Sequence, residues 1–249
     1  MSINACATLV QRADPDRFLA VMAAPVALRA RLFPLFAFNI EVARAPWATQ
    51  EPLIAQMRLQ WWQDAVTEIA AGQPPRRHEV VEPLAGVMQG LPLAPFTALI
   101  AARQWDIYDA PFADEAAFWA HLDDTSGGLM WLATGVRGPE ALIRGIGVAQ
   151  GLASWLTAAP ELAARGRVPL VDDAPEALRG LARRGLDLLD AAKSADFGDG
   201  VPALRSAWRT KPLLAQVLQD PACVAAGTLG TSEFQRRGSL LWRSLTRRW

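Results

Sequence analysis

The chain has 249 residues, 51% of them hydrophobic, with 25 acidic side chains balancing 25 basic ones. That is enough apolar material for one large core, so a single domain, 1–249, is expected, and the zero net charge excludes the basic footprint of a dedicated nucleic-acid binder. Two cysteines without metal-type spacing, Cys6 and Cys223, exclude a disulfide framework and fit a reducing cytoplasm. The opening Met1-Ser2-Ile3-Asn4-Ala5-Cys6 lacks the basic start and apolar run of a signal peptide, and no apolar run approaches the ~20 residues of a spanning helix. The expectation is a cytoplasmic chain, at most peripheral on the inner membrane face.

Helical spacing dominates from one end to the other, and no alternating strand pattern occurs. Residues from Asp16 to Arg44 predict one or two helices punctuated by Pro25 and Pro34. Glu51-Pro52 opens the next helix, where Ile54, Met57, Trp61, Ala65 and Ile69 recur at three or four and predict one buried stripe; Gly72 ends it. Further helices are predicted from Pro95 to Trp105 and through Phe118, Leu122, Ser126, Leu129, Met130 and Ala133. Another runs from Glu140 to Leu156, with Gly145, Gly147, Ala149, Gly151 and Ala153 as small residues that permit close approach. Glu176 to Lys193 is strongly amphipathic, Ala195 to Pro202 reads as a loop, and helix resumes at Pro212. The fold class is all-α, of roughly eight or more helices given ordinary helix and loop lengths.

An ordered set of segments resembles the squalene/phytoene synthases, a family of all-α isoprenoid synthases. Asp14-Pro15-Asp16-Arg17-Phe18 resembles the opening of that family's first helix, and Arg29 to Phe38 the arginine-bearing helix that leads into its first acidic motif. Arg58-Leu59-Gln60-Trp61-Trp62 resembles the tryptophan helix, and Thr125-Ser126-Gly127-Gly128 the small-residue lining of the substrate tunnel. Gly147 to Leu152 followed by Gly166-Arg167-Val168-Pro169-Leu170 is similar to the second acidic helix and its exit loop. Asn39-Ile40-Glu41 and the Arg58–Trp62 block look most like the branch that contains the mitochondrial complex I assembly factor. The resemblance implies an isoprenoid-synthase helical bundle around a central cavity, with Arg31, Asn39, Arg58, Trp61, Ser126, Gly127, Gln150 and Arg167 as ligand-cavity candidates.

Condensing prenyl diphosphates requires a diphosphate to leave, and the family neutralises it with magnesium held by two D-x-x-x-D-type motifs on facing helices. The i,i+4 spacing sets both carboxylates on one helix face. The first motif aligns with Ala43-Arg44-Ala45-Pro46-Trp47, which has no carboxylate; Glu41 is the only acid nearby, and Arg44 puts a cation where one should bind. In the second, the expected positions fall near Ala158, Glu161 and Leu162, with Pro160 expected to disturb the helix. Glu41, Arg44 and Glu161 are thus degenerate motif positions, no metal site is assigned, and magnesium is expected only if the chain is an enzyme after all.

Other acids carry structural readings. Asp64 and Glu68 have i,i+4 spacing but read as a solvated helix face, Asp106 and Asp109 as a helix end, Asp123-Asp124 as surface residues on different faces, and Asp187 and Asp190 as solvent-facing. His78 and His121 read as loop and surface residues. Arg29, Arg31 and Arg58 fit a former diphosphate pocket and salt bridges equally well. Trp61 and Trp62 differ by ~100° around the helix, so one can face the core and the other a cavity mouth. The tail from Phe234 through Arg236, Arg237, Trp242, Arg243, Arg247 and Arg248 interleaves arginine with aromatics, and Leu241, Leu245 and Trp249 form a stripe; this reads either as a closing helix packed on the domain with solvated arginines or as a helix lying on an anionic leaflet.

The expected function is that of a non-catalytic synthase-like protein that assists respiratory complex I assembly. Its partners would be complex I subunits or assembly machinery, and a prenyl lipid is a candidate ligand. The alternatives are a prenyltransferase with atypical metal ligands and a prenyl-lipid carrier or sensor.

Overall fold

The computed structural model describes residues 3–108, 110–246 and 248–249, with the side chains of 233–237 left out. Met1, Ser2, Asp109 and Arg247, and the side chains of Phe234, Arg236 and Arg237, therefore lie outside the described residues. Among the described residues there are helices and turns and no strand. In chain order they are α1 (Ile3–Ala13), α2 (Pro15–Met22), α3 (Val26–Arg44), α4 (Pro52–Ala70), α5 (Val81–Met88), α6 (Ala94–Ala102), α7 (Glu115–Leu122), α8 (Gly128–Ala133), α9 (Glu140–Ala164), α10 (Pro175–Ala191), α11 (Val201–Leu204), α12 (Thr210–Gln219), α13 (Ala222–Ala225) and α14 (Glu233–Leu245).

Local chemistry sets the main boundaries. Asp14 caps α2 by accepting the Arg17 N–H at 2.9 Å, with Pro15 in the first turn. Pro25 separates α2 from α3, whereas Pro34 is carried inside α3. From Leu32 to Ile40, α3 is buried on every side, as a helix at the centre of a bundle must be. Asp114 caps α7 in the same way as Asp14 caps α2.

Several expectations change. The buried face of α4 is Ala55, Leu59, Trp62, Ala65 and Val66, rotated by about one residue from the predicted stripe. Ile54 and Met57 are exposed together with Leu53, because the first turns of α4 are apolar on both sides and periodicity alone cannot choose between them. Pro160 does not end its helix: α9 runs on to Ala164. Residues Asp123–Gly127 form a π-helical turn between α7 and α8, so Asp123 and Asp124 do not sit on regular helical faces. Helices α1 and α5 had no counterpart in the sequence reading, and α11 begins inside the segment Ala195–Pro202 that was expected to be a loop.

Two apolar cores meet across α8. Leu129, Leu132 and Ala133 belong to the core built on α1 and α3–α6, and Met130 and Trp131 to the one built on α7, α9, α10 and α12. The small residues of α9 make that junction close. A Cβ on Gly147 would lie 2.5 Å from the Ser126 carbonyl oxygen, and one on Gly151 would lie 2.6 Å from Ser126 Oγ.

Candidate functional site

The C-terminal ends of α3 and α9 come to the same end of the bundle, where the two acidic motifs would face each other. Each surviving carboxylate is occupied by a neighbouring arginine. Glu41 pairs with Arg44 at 3.5 Å, and Glu161 pairs with Arg165 one turn on. Between the two arms stands Trp47, with the guanidinium carbons of Arg165 and Arg167 at 5.2 and 5.0 Å from its ring centroid. Arg167 also donates to the main-chain oxygens of Asp106, at 2.6 Å, and Tyr108. Among the described residues no group of three or more His, Cys, Asp or Glu is placed to hold a metal ion. At the positions expected from the resemblance the residues present do not fit the family's magnesium cluster: Ala43, Trp47, Ala158 and Leu162 offer no carboxylate, and Glu161 is engaged by Arg165.

Behind Trp47 the interior is polar. Asp106 is 4% exposed and pairs with Arg103 at 3.4 Å. Burial pushes its carboxyl above the ordinary range, against the pull of Arg103, Arg167 and the Trp47 indole. Asp106 ends the short helical turn Arg103–Asp106, as expected, but it is buried and faces Arg103 there. His121 is likewise buried, not on the surface: it stands in a box of Trp105, Phe112 and Trp155 with ring centroids 5.2–6.0 Å away. Burial, with Arg103 nearby, pushes its imidazole down to about 3. Arg17 of α2 enters from the other side, its guanidinium 5.1 Å from the Phe36 ring centroid and 3.5 Å from Asp14. The Nε atoms of Arg17 and Arg103, Asn39 Oδ1, Trp105 Nε1 and His121 Nε2 are buried without a hydrogen-bond partner among the described residues.

The ligand-cavity candidates separate. Arg58 and Trp61 line a cavity of about 340 Å³ with Glu41, Arg44, Trp62 and His78. Trp62 is buried and meets Phe38 edge-on at 5.6 Å, while Trp61 is half-buried at the cavity wall beside loop residue His78. Arg31 lines a different cavity, of about 1090 Å³, at the opposite end of α3. Gln150 donates to the Ser206 carbonyl at 3.2 Å in a third pocket, beside Arg17. Ser126 and Gly127 are packed against Gly147 and Gly151, Asn39 is buried, and Arg167 is at the mouth. Of the three arginines read together, Arg29 closes the end of α2 by donating to the carbonyls of Met22 and Ala24.

Among the other acids, Glu68 accepts two hydrogen bonds from Arg76, at 2.6 and 2.7 Å, and Asp64 lies 3.7 Å from the same guanidinium; both stay partly exposed on the face of α4 while pairing with it. Asp123 pairs with Arg144 of α9. Asp187 and Asp190 are exposed, as expected. The polar interior was missed because its members come from three separate elements: Arg17 from α2, Arg103 and Asp106 from the short helical turn Arg103–Asp106, and His121 from α7.

Residues 10–216 match the squalene/phytoene synthase family, and the chain belongs to that family. Among characterised relatives, it is 27% identical over 174 residues to the bovine "NADH dehydrogenase (ubiquinone) complex I, assembly factor 6" and 26% identical to the human protein of that name, covering 68% of this chain in each case. The chain spans about half the length of those two relatives (52%). A Drosophila melanogaster homolog is 28% identical over 86% of this chain and 67% of its own. Among solved structures, a dehydrosqualene synthase in complex with ligand superposes with a TM-score of 0.81 at 14% identity, over 98% of this chain and 96% of that one. The squalene synthase HpnC from Alicyclobacillus acidocaldarius gives 0.62 at 15%, over 95% and 94%. At those identities the two structures establish the isoprenoid-synthase helical fold.

Proposed function

We propose that this chain is a non-catalytic member of its family that assists assembly of respiratory complex I, working as a peripheral protein at the cytoplasmic face of the inner membrane. The observation that carries the reading is the bundle mouth. The positions that the family resemblance assigns to metal ligands hold Ala43, Trp47, Ala158, Glu161 and Leu162, the nearby acids Glu41 and Glu161 pair with Arg44 and Arg165, and Trp47 lies against Arg165 and Arg167. The names of the relatives support the partner, which would be a complex I subunit or its assembly machinery. Among the described residues no helix is long and apolar enough to cross a membrane.

Two measurements test this. Labelled farnesyl and geranylgeranyl diphosphate, incubated with the purified protein and magnesium, should release no diphosphate; magnesium-dependent release would mean an enzyme with relocated ligands. Membranes from host cells lacking the chain should lose NADH–quinone oxidoreductase activity, and an unchanged activity would refute the assembly role.

A further inference from the structure

The large apolar side chains exposed among the described residues fall mainly in two places. One is the outer face of α4. The other is the corner where α2 turns into α3 beneath α14. There Val26 is 74% exposed, and Leu241, Trp242 and Leu245 are 61%, 65% and 73% exposed. The helix α14 is not loose on this corner. Leu240 packs on Ala20 and Trp208, and Arg205 donates to the Arg248 carbonyl at 3.0 Å, so the opposite face of α14 is turned outward. The predicted stripe changes in one member. The helix ends at Leu245, Trp249 turns back to meet Phe197 edge-on at 6.0 Å, and Trp242 joins the outward face instead.

Ser244 lines the cavity of about 1090 Å³ that Arg31 and Arg137 also line. Met22 is part of its wall, and Leu241 lies one turn before Ser244 on α14. Its cations differ in their commitments. Arg29 and Arg205 are bound to main-chain carbonyls at the end of α2. Arg137 makes no ion pair among the described residues, and Arg31 Nε is buried without a partner. Burial, and then the neighbouring Arg137, push the Arg31 guanidinium down from its ordinary value. Two carboxylates, Asp196 and Asp199, lie on the same lining, and Asp196 is engaged by the Gly198 N–H at 2.9 Å.

The loop that carries Arg137 is strained into place. Gly135, Val136 and Gly138 have φ of 76°, 59° and 100°; for the β-branched Val136 this is a sparsely populated conformation. A Cβ on Gly135 would lie 2.5 Å from the terminal nitrogen of Arg31, so the glycine leaves room for the guanidinium.

We infer that Arg31 and Arg137 form a binding site for the phosphate of an anionic phospholipid, seated at a bilayer surface by Leu241, Trp242, Leu245, Met22 and Val26. Arginine forks match phosphate oxygens, and exposed tryptophan and leucine beside them are what an interfacial helix buries. The site is at the end of the bundle opposite the degenerate metal motifs. It deepens the membrane contact of the function proposed above and rests on that part of it alone.

The test is co-sedimentation of the full chain with mixed phosphatidylcholine–phosphatidylglycerol vesicles, against pure phosphatidylcholine. The native protein should bind the mixed vesicles and not the neutral ones. Removing both charges (R31Q/R137Q) should weaken binding about thirtyfold, from the usual worth of two arginines at an anionic surface. R31K/R137K should recover much of it, and a charge-matched change on α10 (R179Q/R183Q) should leave binding unchanged. L241S/L245S should abolish binding while keeping the helical circular-dichroism signal. Equal binding to both vesicle types, or equal losses for the α10 control, overturns the site. If excess inorganic phosphate raises the melting temperature and displaces the vesicles, the pocket takes free phosphate and the lipid assignment fails. Because purified protein and lipid suffice, failure here leaves the assembly role standing, and loss of that role leaves the lipid site intact.

Discussion

His121 should make this protein sensitive to mild acid. Its imidazole is held at about 3 by burial and by Arg103, with a contact to the Ala102 backbone pulling the other way, whereas in an unfolded chain it titrates near ~6.5. The folded state therefore refuses a proton that the unfolded state accepts. The stability this represents is complete above pH ~6.5 and is lost progressively as pH falls from there towards the folded value. At pH 5 the loss is about 2 kcal/mol, from one and a half pH units at about 1.4 kcal/mol each. For a chain of this length that lowers the melting temperature by about 4–8 °C. Asp106, whose carboxyl is raised by burial, acts in the opposite direction on acidification, and Arg103 touches both groups. The measurement is thermal unfolding between pH 7.5 and 5 for the native chain and His121→Gln, which keeps a hydrogen-bonding side chain but cannot titrate. The difference in slope isolates His121. Identical pH dependence in the two proteins would refute a buried neutral imidazole.

Three further outcomes follow from packing. Trp62→Ala should cost about 3–5 kcal/mol in denaturant unfolding, because Trp62 is buried against Phe38 and His78, and the half-buried Trp61 less than half of that; small shifts in both would contradict the assigned faces of α4. Gly147→Ala should destabilise by at least about 1–3 kcal/mol, since its new Cβ would meet the Ser126 carbonyl oxygen, Met130 Cβ and Gly127 Cα within 3 Å. Gly180→Ala on α10 meets nothing within 4 Å and should stabilise slightly, so equal effects at the two glycines would remove the close-approach explanation. Burial pushes the Cys6 thiol up to about 11, and the Cys223 thiol is raised as well. Neither should react with a thiol reagent at pH 8 until the chain unfolds, and rapid labelling of Cys6 in the folded protein would show its burial to be wrong.

The helical class, the ordered family landmarks and the absence of paired acids were legible because each depends on local spacing. Side-chain burial was less so. On α4 the residues Ile54, Met57 and Trp61 and the residues Leu59, Trp62 and Val66 score alike as apolar stripes, and only the packing of α3 and α6 decides between them. His121 read as a surface residue because nothing near it in the chain reveals that Trp105 and Trp155 close over it. Pro160 was expected to disturb its helix, yet it sits within an unbroken α9. Arg31 and Arg58 read as one group because guanidinium forks suit a phosphate wherever they stand in the chain, and the length of α3 separates them into different cavities.

On the non-catalytic reading proposed above, Trp47 gives the loss of the family's metal site an asymmetry between forward and reverse change. A site erased by simple truncation could be regained by writing its carboxylates back. Here the vacated space has been rebuilt: the indole lies against two guanidiniums, and one of those reaches on to main-chain oxygens beside Asp106. Aspartates returned to 43, 47, 158 and 162 would find Arg44, Arg165 and Arg167 already in reach as counter-ions, competing directly with magnesium. Without Trp47, α3 and α9 would also lose the ring that joins their ends. Reversal therefore needs the arginines removed and the mouth reopened together, so the intermediate sequences would be neither good enzymes nor well-closed bundles.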